Sequence, residues 1–165
     1  MNKALLFDFI VDKEKKEIRV ERAFNAPLDM VWEAWTNPQL LDQWWAPKPF
    51  KTETKSMDFR VGGHWLYTMN GPNGECFWCK NEYTEVNPKS TYAGLDGFCF
   101  ENGEFNKDMP MHDWRNTFES KDDQTVVHVK VNYSSVEELN QIIEMGFKEG
   151  FTAALENLDE LLKSM

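Results

Sequence analysis

Three histidines are the first candidates for acid–base chemistry, because imidazole changes charge near neutral pH. His64, His112 and His128 fall on three separate predicted strands. His128 shares strand parity with Lys130 and is expected to face solvent, whereas His64 and His112 could point inward as proton donors or ligand anchors. The structural alternative for each is a hydrogen-bonded histidine with no chemical task. No Ser-His-Asp or Cys-His arrangement can be assembled from residue order, so no catalytic residue is assigned. Asp58 and Arg60 lie two apart and therefore on one face of a strand. They could brace the bend at Gly62-Gly63, or Arg60 could hold an acidic ligand group, since guanidinium binds carboxylates bidentately. Cys76-Phe77-Trp78-Cys79 has the CxxC spacing of redox and zinc sites. Residues three apart on a strand point to opposite faces, and only Cys99 remains as a further thiol, so neither a metal nor a cofactor is expected.

The aromatic residues are stronger candidates for binding. With 7 Trp and 12 Phe, the chain has enough rings to wall a cavity as well as fill a core. Trp45, Trp65, Tyr67, Trp78, Trp114, Phe147 and Phe151 lie in elements expected to surround such a space, together with His64, His112 and Arg60 as polar groups. A mostly apolar pocket with a few polar side chains suits a small-molecule ligand. Core packing alone is the competing explanation, and strand alternation will turn about half of the strand rings away.

The elements that must position these residues are legible from periodicity. Leu5 to Val11 reads as a strand, and the next run puts Ile18 and Val20 on one face and Arg19 and Glu21 on the other. Ala26-Pro27 opens a short helix with Val31, Trp32 and Trp35 as its apolar stripe; Asn37-Pro38 caps and starts a second, with Leu40, Leu41, Trp44 and Trp45 inside. From Lys51 to Val131 the signals are strands and turns, about six strands in all, interrupted by a loop from Glu101 to Pro110. Ser135-Val136-Glu137-Glu138 is a capping box. Beyond it Leu139, Ile143, Phe147, Gly150, Ala154, Leu158 and Leu161 form an apolar stripe, with Glu137, Glu144, Lys148, Glu149, Glu156, Asp159 and Lys163 opposite. This predicts one helix of nearly thirty residues, a rod of roughly 40 Å.

The expected fold is α+β: one domain over residues 1–165 in which a curved antiparallel β-sheet wraps a long C-terminal α-helix, with two short helices after the first strands. Gly146 and Gly150 lie on or beside the apolar stripe next to Ala154. They serve either a close approach of helix and sheet or a cavity between them, with Phe147 and Phe151 as its walls.

Charge narrows the partners. The chain carries 18 basic and 28 acidic residues, a net −10, which repels phosphate backbones and anionic headgroups. Neither nucleic acid nor a membrane surface is an expected partner. No apolar stretch is long enough to span a bilayer, and the run Ala4-Leu5-Leu6-Phe7 ends at Asp8 without a cleavage pattern. An odd number of cysteines fits a reducing compartment, so the expected location is the cytoplasm. Leu5 to Val11, as an exposed edge strand, offers a surface for a homodimer.

Four features together resemble the START-like (SRPBCC, helix-grip) superfamily and, within it, the family of homologues of the activator of the heat-shock-protein ATPase. They are Ala26-Pro27 followed by Val31-Trp32; Thr36-Asn37-Pro38 leading to Trp44-Trp45; Asp58-Phe59-Arg60-Val61-Gly62-Gly63; and Gly146-Phe147 to Leu162. The resemblance runs from about Glu17 to Leu162 and implies a fold and a cavity rather than a reaction. Related domains bind lipids, polyketides or other apolar molecules, and a few catalyse cyclisation or dehydration. The expected function is therefore binding of a small apolar or amphipathic ligand. The alternatives are an enzyme of the cyclase or dehydratase type, with His64 or His112 as acid/base, or a protein with a chaperone partner.

Overall fold

The computed structural model describes residues 5–165; Ala4, where the N-terminal apolar run begins, lies outside the described residues. Strands β1 (Phe7–Asp12) and β2 (Glu17–Phe24) precede helices α1 (Leu28–Thr36) and α2 (Pro38–Trp44). Six strands follow: β3 (Lys51–Asp58), β4 (His64–Asn70), β5 (Cys76–Asn87), β6 (Thr91–Phe98), β7 (Met111–Lys121) and β8 (Gln124–Tyr133). The chain closes with α3 (Val136–Glu144) and α4 (Phe147–Ser164). One sheet holds all eight strands in the order β1-β2-β8-β7-β6-β5-β4-β3, antiparallel at each pairing. This is the expected helix-grip architecture.

Local chemistry sets the element ends. Asn37 caps α2 by accepting a hydrogen bond from the Gln39 amide at 2.9 Å, with Pro38 at the first helical position. Ser135 does the same for α3, accepting from the Glu138 amide at 3.1 Å. Bulges at Thr54/Ser56 in β3 and Tyr83/Glu85 in β5 bend the sheet. Gly63 at the β3–β4 turn is required sterically, since a Cβ there would lie 1.9 Å from the Asp58 carbonyl oxygen.

The concave face is packed from both ends of the chain. Ile18, Val20 and Phe24 on β2 and Val127, Val129 and Val131 on β8 are buried beneath Leu139, Leu155 and Leu158. Helices α1 and α2 add Val31, Trp35, Leu41 and Trp44, and the Trp44 indole donates to the Ala34 carbonyl at 2.8 Å. Asn157 of α4 donates to the carbonyl of Ala46 at 3.0 Å, tying the helix to the end of α2.

Two details differ from the expectation. The C-terminal helix is not one rod: it breaks at Met145-Gly146, and α4 alone has 18 residues, about 27 Å. Gly146 adopts φ +90°, a left-handed conformation that L side chains resist. Apolar periodicity continues across the break because both segments lie against the same sheet, which is why the stripe reads as continuous. Asp159, expected on the solvent face, instead meets the buried Arg22 of β2 at 2.7 Å, joining the helix to the sheet. Burial of Arg22 makes this pair consequential, since removing Asp159 would leave the buried guanidinium without a carboxylate partner.

The break sets the sign of one substitution. Gly146→Ala should destabilise the protein by about 1–2 kcal/mol in urea unfolding. A continuous helix would instead gain about 0.8–1 kcal/mol from the same change.

Candidate functional site

The sheet's pairing register builds a polar row across its concave face. Trp65 on β4 stands opposite Asn81 on β5, Asn81 opposite Asp96 on β6, Asp96 opposite His112 on β7, and His112 opposite Tyr133 on β8. Directly opposed residues share a face, so these side chains meet in the interior. The Asn81 amide donates to Asp96 Oδ2 at 3.1 Å, and His112 Nε2 lies 3.8 Å from Asp96 Oδ1.

In front of this row lies a cavity of about 610 Å³ between the sheet, α3 and α4. Its walls are mostly aromatic. Phe147 and Phe151 stack with ring centroids 5.5 Å apart, and Trp114 meets both edge-on. Trp45, just past α2, touches Trp65, Trp114 and Phe151, and its indole donates to the Tyr67 hydroxyl at 3.0 Å. Phe77 and Met145, both exposed, lie at the rim. Gly146 and Gly150 line the cavity. A Cβ at Gly150 would meet only Pro47 Cγ, at 3.6 Å, so this glycine is not demanded by a close approach of backbone and leaves volume instead.

The structure separates the candidate residues. Trp45, Tyr67, His112, Trp114, Phe147 and Phe151 line the cavity; Trp78 borders it, but the register sets it opposite Thr68, on the sheet face that carries His64, with Lys55 over its ring. Trp65 does not: it stacks behind, 3.9 Å from the Tyr67 ring, and its indole donates to Thr54 Oγ1 at 3.0 Å. It borders a separate chamber of about 10 Å³ shared with Asn81, Asp96 and Asn116. His64 is elsewhere because strand alternation turns it away from its inward neighbour Trp65; its Nε2 lies 2.7 Å from Ser56 Oγ. Arg60 is also outside the cavity, exposed in the β3–β4 turn and paired with Asp58 at 2.7 Å. His128 lies near Glu21 and Glu119 at the surface. Cys76, Cys79 and Cys99 are free thiols that border the cavity, and among the described residues no cluster could hold a metal ion. Burial pushes the Cys79 and Cys99 thiols up, away from the reactive thiolate.

Asp96 and Asn81 are the functional candidates that sequence reasoning missed. The available signal was parity: Asp96 shares its strand face with Tyr92, Gly94 and Phe98, so it is an ionisable residue on an inward-facing row. Burial raises the Asp96 carboxyl to about 7, opposed by the hydrogen bond from Asn81. Burial lowers His112 to about 4, and neither of its ring nitrogens has a hydrogen-bond partner. At 3.8 Å, and with both groups pushed towards neutrality, the two form a polar contact rather than an ion pair.

These shifts oppose each other in pH-dependent stability. Between about 4 and 7 the folded protein keeps a proton on Asp96 that the unfolded chain releases, so this contribution falls as pH rises. Between about 4 and 6.5 folding excludes a proton from His112, so that contribution rises with pH. Asp96→Asn removes only the first. Its stability relative to the unsubstituted protein should climb from pH 4 to pH 7, by at most about 1.4 kcal/mol per pH unit, in urea unfolding. A constant difference across that range would contradict a buried, neutral Asp96.

Comparison with known proteins agrees with this fold. Residues 25–163 match the family model described as Activator of Hsp90 ATPase homolog 1-like protein. The crystal structure of protein Ms6760 from Mycobacterium smegmatis is 30% identical, with TM-score 0.87 over 96% of this chain and 97% of that one. A solution structure of a protein from Arthrobacter aurescens is 25% identical, with TM-score 0.90 over 96% and 92% of the two chains. Another from Staphylococcus epidermidis is 27% identical, with TM-score 0.82 and 93% of each chain covered. No curated protein gives a significant match. By sequence and by fold, the chain belongs to the Activator of Hsp90 ATPase homolog 1-like family of the START-like superfamily.

Proposed function

We propose that the protein binds a small apolar or amphipathic molecule in the cavity between the sheet and the C-terminal helices. One observation carries this reading: about 610 Å³ of space is walled by aromatic rings and bordered by a buried carboxyl group. A fold packed for stability alone gains nothing by leaving this aromatic surface facing water, since burying apolar surface is worth about 25 cal/mol per Å². The ligand enters past Phe77 and Met145, its apolar body lies on Trp45, Trp114, Phe147 and Phe151, and its polar end reaches Asp96. Free thiols support a reducing compartment, in keeping with the cytoplasm.

The juxtaposition of Asp96 and His112 favours one second reading, an enzyme that uses them as acid and base in the same cavity. A carboxyl group near 7 beside a neutral imidazole suits proton transfer at neutral pH. Under that reading the bound molecule is turned over, and Asp96→Asn abolishes turnover while leaving binding measurable.

Two measurements test the binding reading. Native mass spectrometry of protein purified from its own host should show a retained small molecule. Titration with the neutral dye N-phenyl-1-naphthylamine, followed by quenching of tryptophan emission, should saturate at one dye per chain. Gly150→Phe, which puts a ring into the cavity, should weaken the dye at least tenfold with an unchanged circular dichroism spectrum. Equal dye binding by this variant, or no ligand in either experiment, would contradict the proposal.

A further inference from the structure

The lining of the cavity has a one-sided charge inventory. None of its residues is Lys or Arg; its ionisable side chains are Asp96, His112, Tyr67 and the three cysteines. His112 is driven towards its neutral form by burial, so no wall group carries a positive charge at neutral pH. Two lysines of the neighbouring strands are held by glutamates: Lys55, over the Trp78 ring, pairs with Glu53 at 2.8 Å, and Lys80 pairs with Glu82 at 3.0 Å. A carboxylate or phosphate headgroup desolvated here would meet no counter-charge and would face Asp96.

An organic cation meets the reverse situation. Asp96 has one oxygen occupied by Asn81, and the nearest ring nitrogen of His112 lies beyond hydrogen-bond reach of the other. A primary ammonium brings three N–H donors to this acceptor, and the Trp45, Trp114, Phe147 and Phe151 rings present π-electrons along the approach. The net charge of −10 adds long-range attraction for cations.

Resting on the binding role proposed above, we infer that the ligand class is a small amphipathic amine. Its ammonium sits against the Asp96 carboxylate and its apolar body lies among the aromatic walls. Binding draws Asp96 into its ionised form, so a group that is costly to bury in the free protein becomes half of an ion pair in the complex.

A matched series separates this inference from the reading beneath it. The probes are 1-naphthylmethylamine, 1-naphthylmethanol and 1-naphthoate, titrated at pH 7.5 by tryptophan fluorescence and calorimetry. The amine should bind at least about tenfold more tightly than the alcohol, and the carboxylate more weakly than both. Asp96→Asn should bring amine and alcohol within about threefold of each other, and Asp96→Glu should keep the amine preference. Alcohol or carboxylate binding as tight as the amine would overturn the amine assignment while leaving a ligand cavity. Failure of all three probes to bind would overturn both.

Discussion

A carboxyl group held in an aromatic wall is the constraint around which this molecule is organised. Asp96 is 8% exposed, and Asn81 is the only side chain that hydrogen-bonds to it among the described residues. Burying an acid this way is unfavourable unless the group is neutralised or paired, and a packed core gains nothing from it. The surrounding architecture makes the burial tolerable. Two flanking strands supply Asn81 and His112 in register, and the helices leave open volume in front. The cavity and the acid therefore explain each other better than either is explained alone.

The helix break belongs to the same arrangement. Were α3 and α4 a single straight rod, its apolar stripe would run at one angle across a strongly bent sheet. The left-handed turn at Gly146 lets α3 seat Leu139 and Ile142 while α4 seats Phe151, Leu155 and Leu158. The joint itself, through Met145, Gly146 and Phe147, borders the cavity. On the far side, Arg22 and Asp159 fix α4 to β2, so the opening lies at the end of the helix that is not clamped.

Much of this was legible in the sequence. Strand alternation, the capping signals at Asn37 and Ser135 and the amphipathic C-terminal stripe suffice for a helix-grip fold. The inward parity of Tyr67 and the rings on α4 mark the cavity walls. What periodicity does not carry is the sign of a backbone dihedral, so Gly146 reads as an ordinary helical glycine. His64 and Trp65 are neighbours in one strand and cannot both face inward; the aromatic residue takes the interior because its burial is the more favourable. Asp159 lies on the charged side of its helix by pattern, and only the position of β2 shows that a buried arginine waits there. Asp96 was concealed for a different reason: one acid among inward-facing apolar positions acquires meaning only when register sets Asn81 and His112 beside it.

The most direct measurement is a titration of the Asp96 side-chain carboxyl by carbon-detected NMR in the ligand-free protein. A midpoint near 7 is expected if the group is buried against an apolar cavity. A midpoint near 4, the value of an ordinary solvated carboxylate, would show that the site is wet or otherwise arranged and would contradict the account.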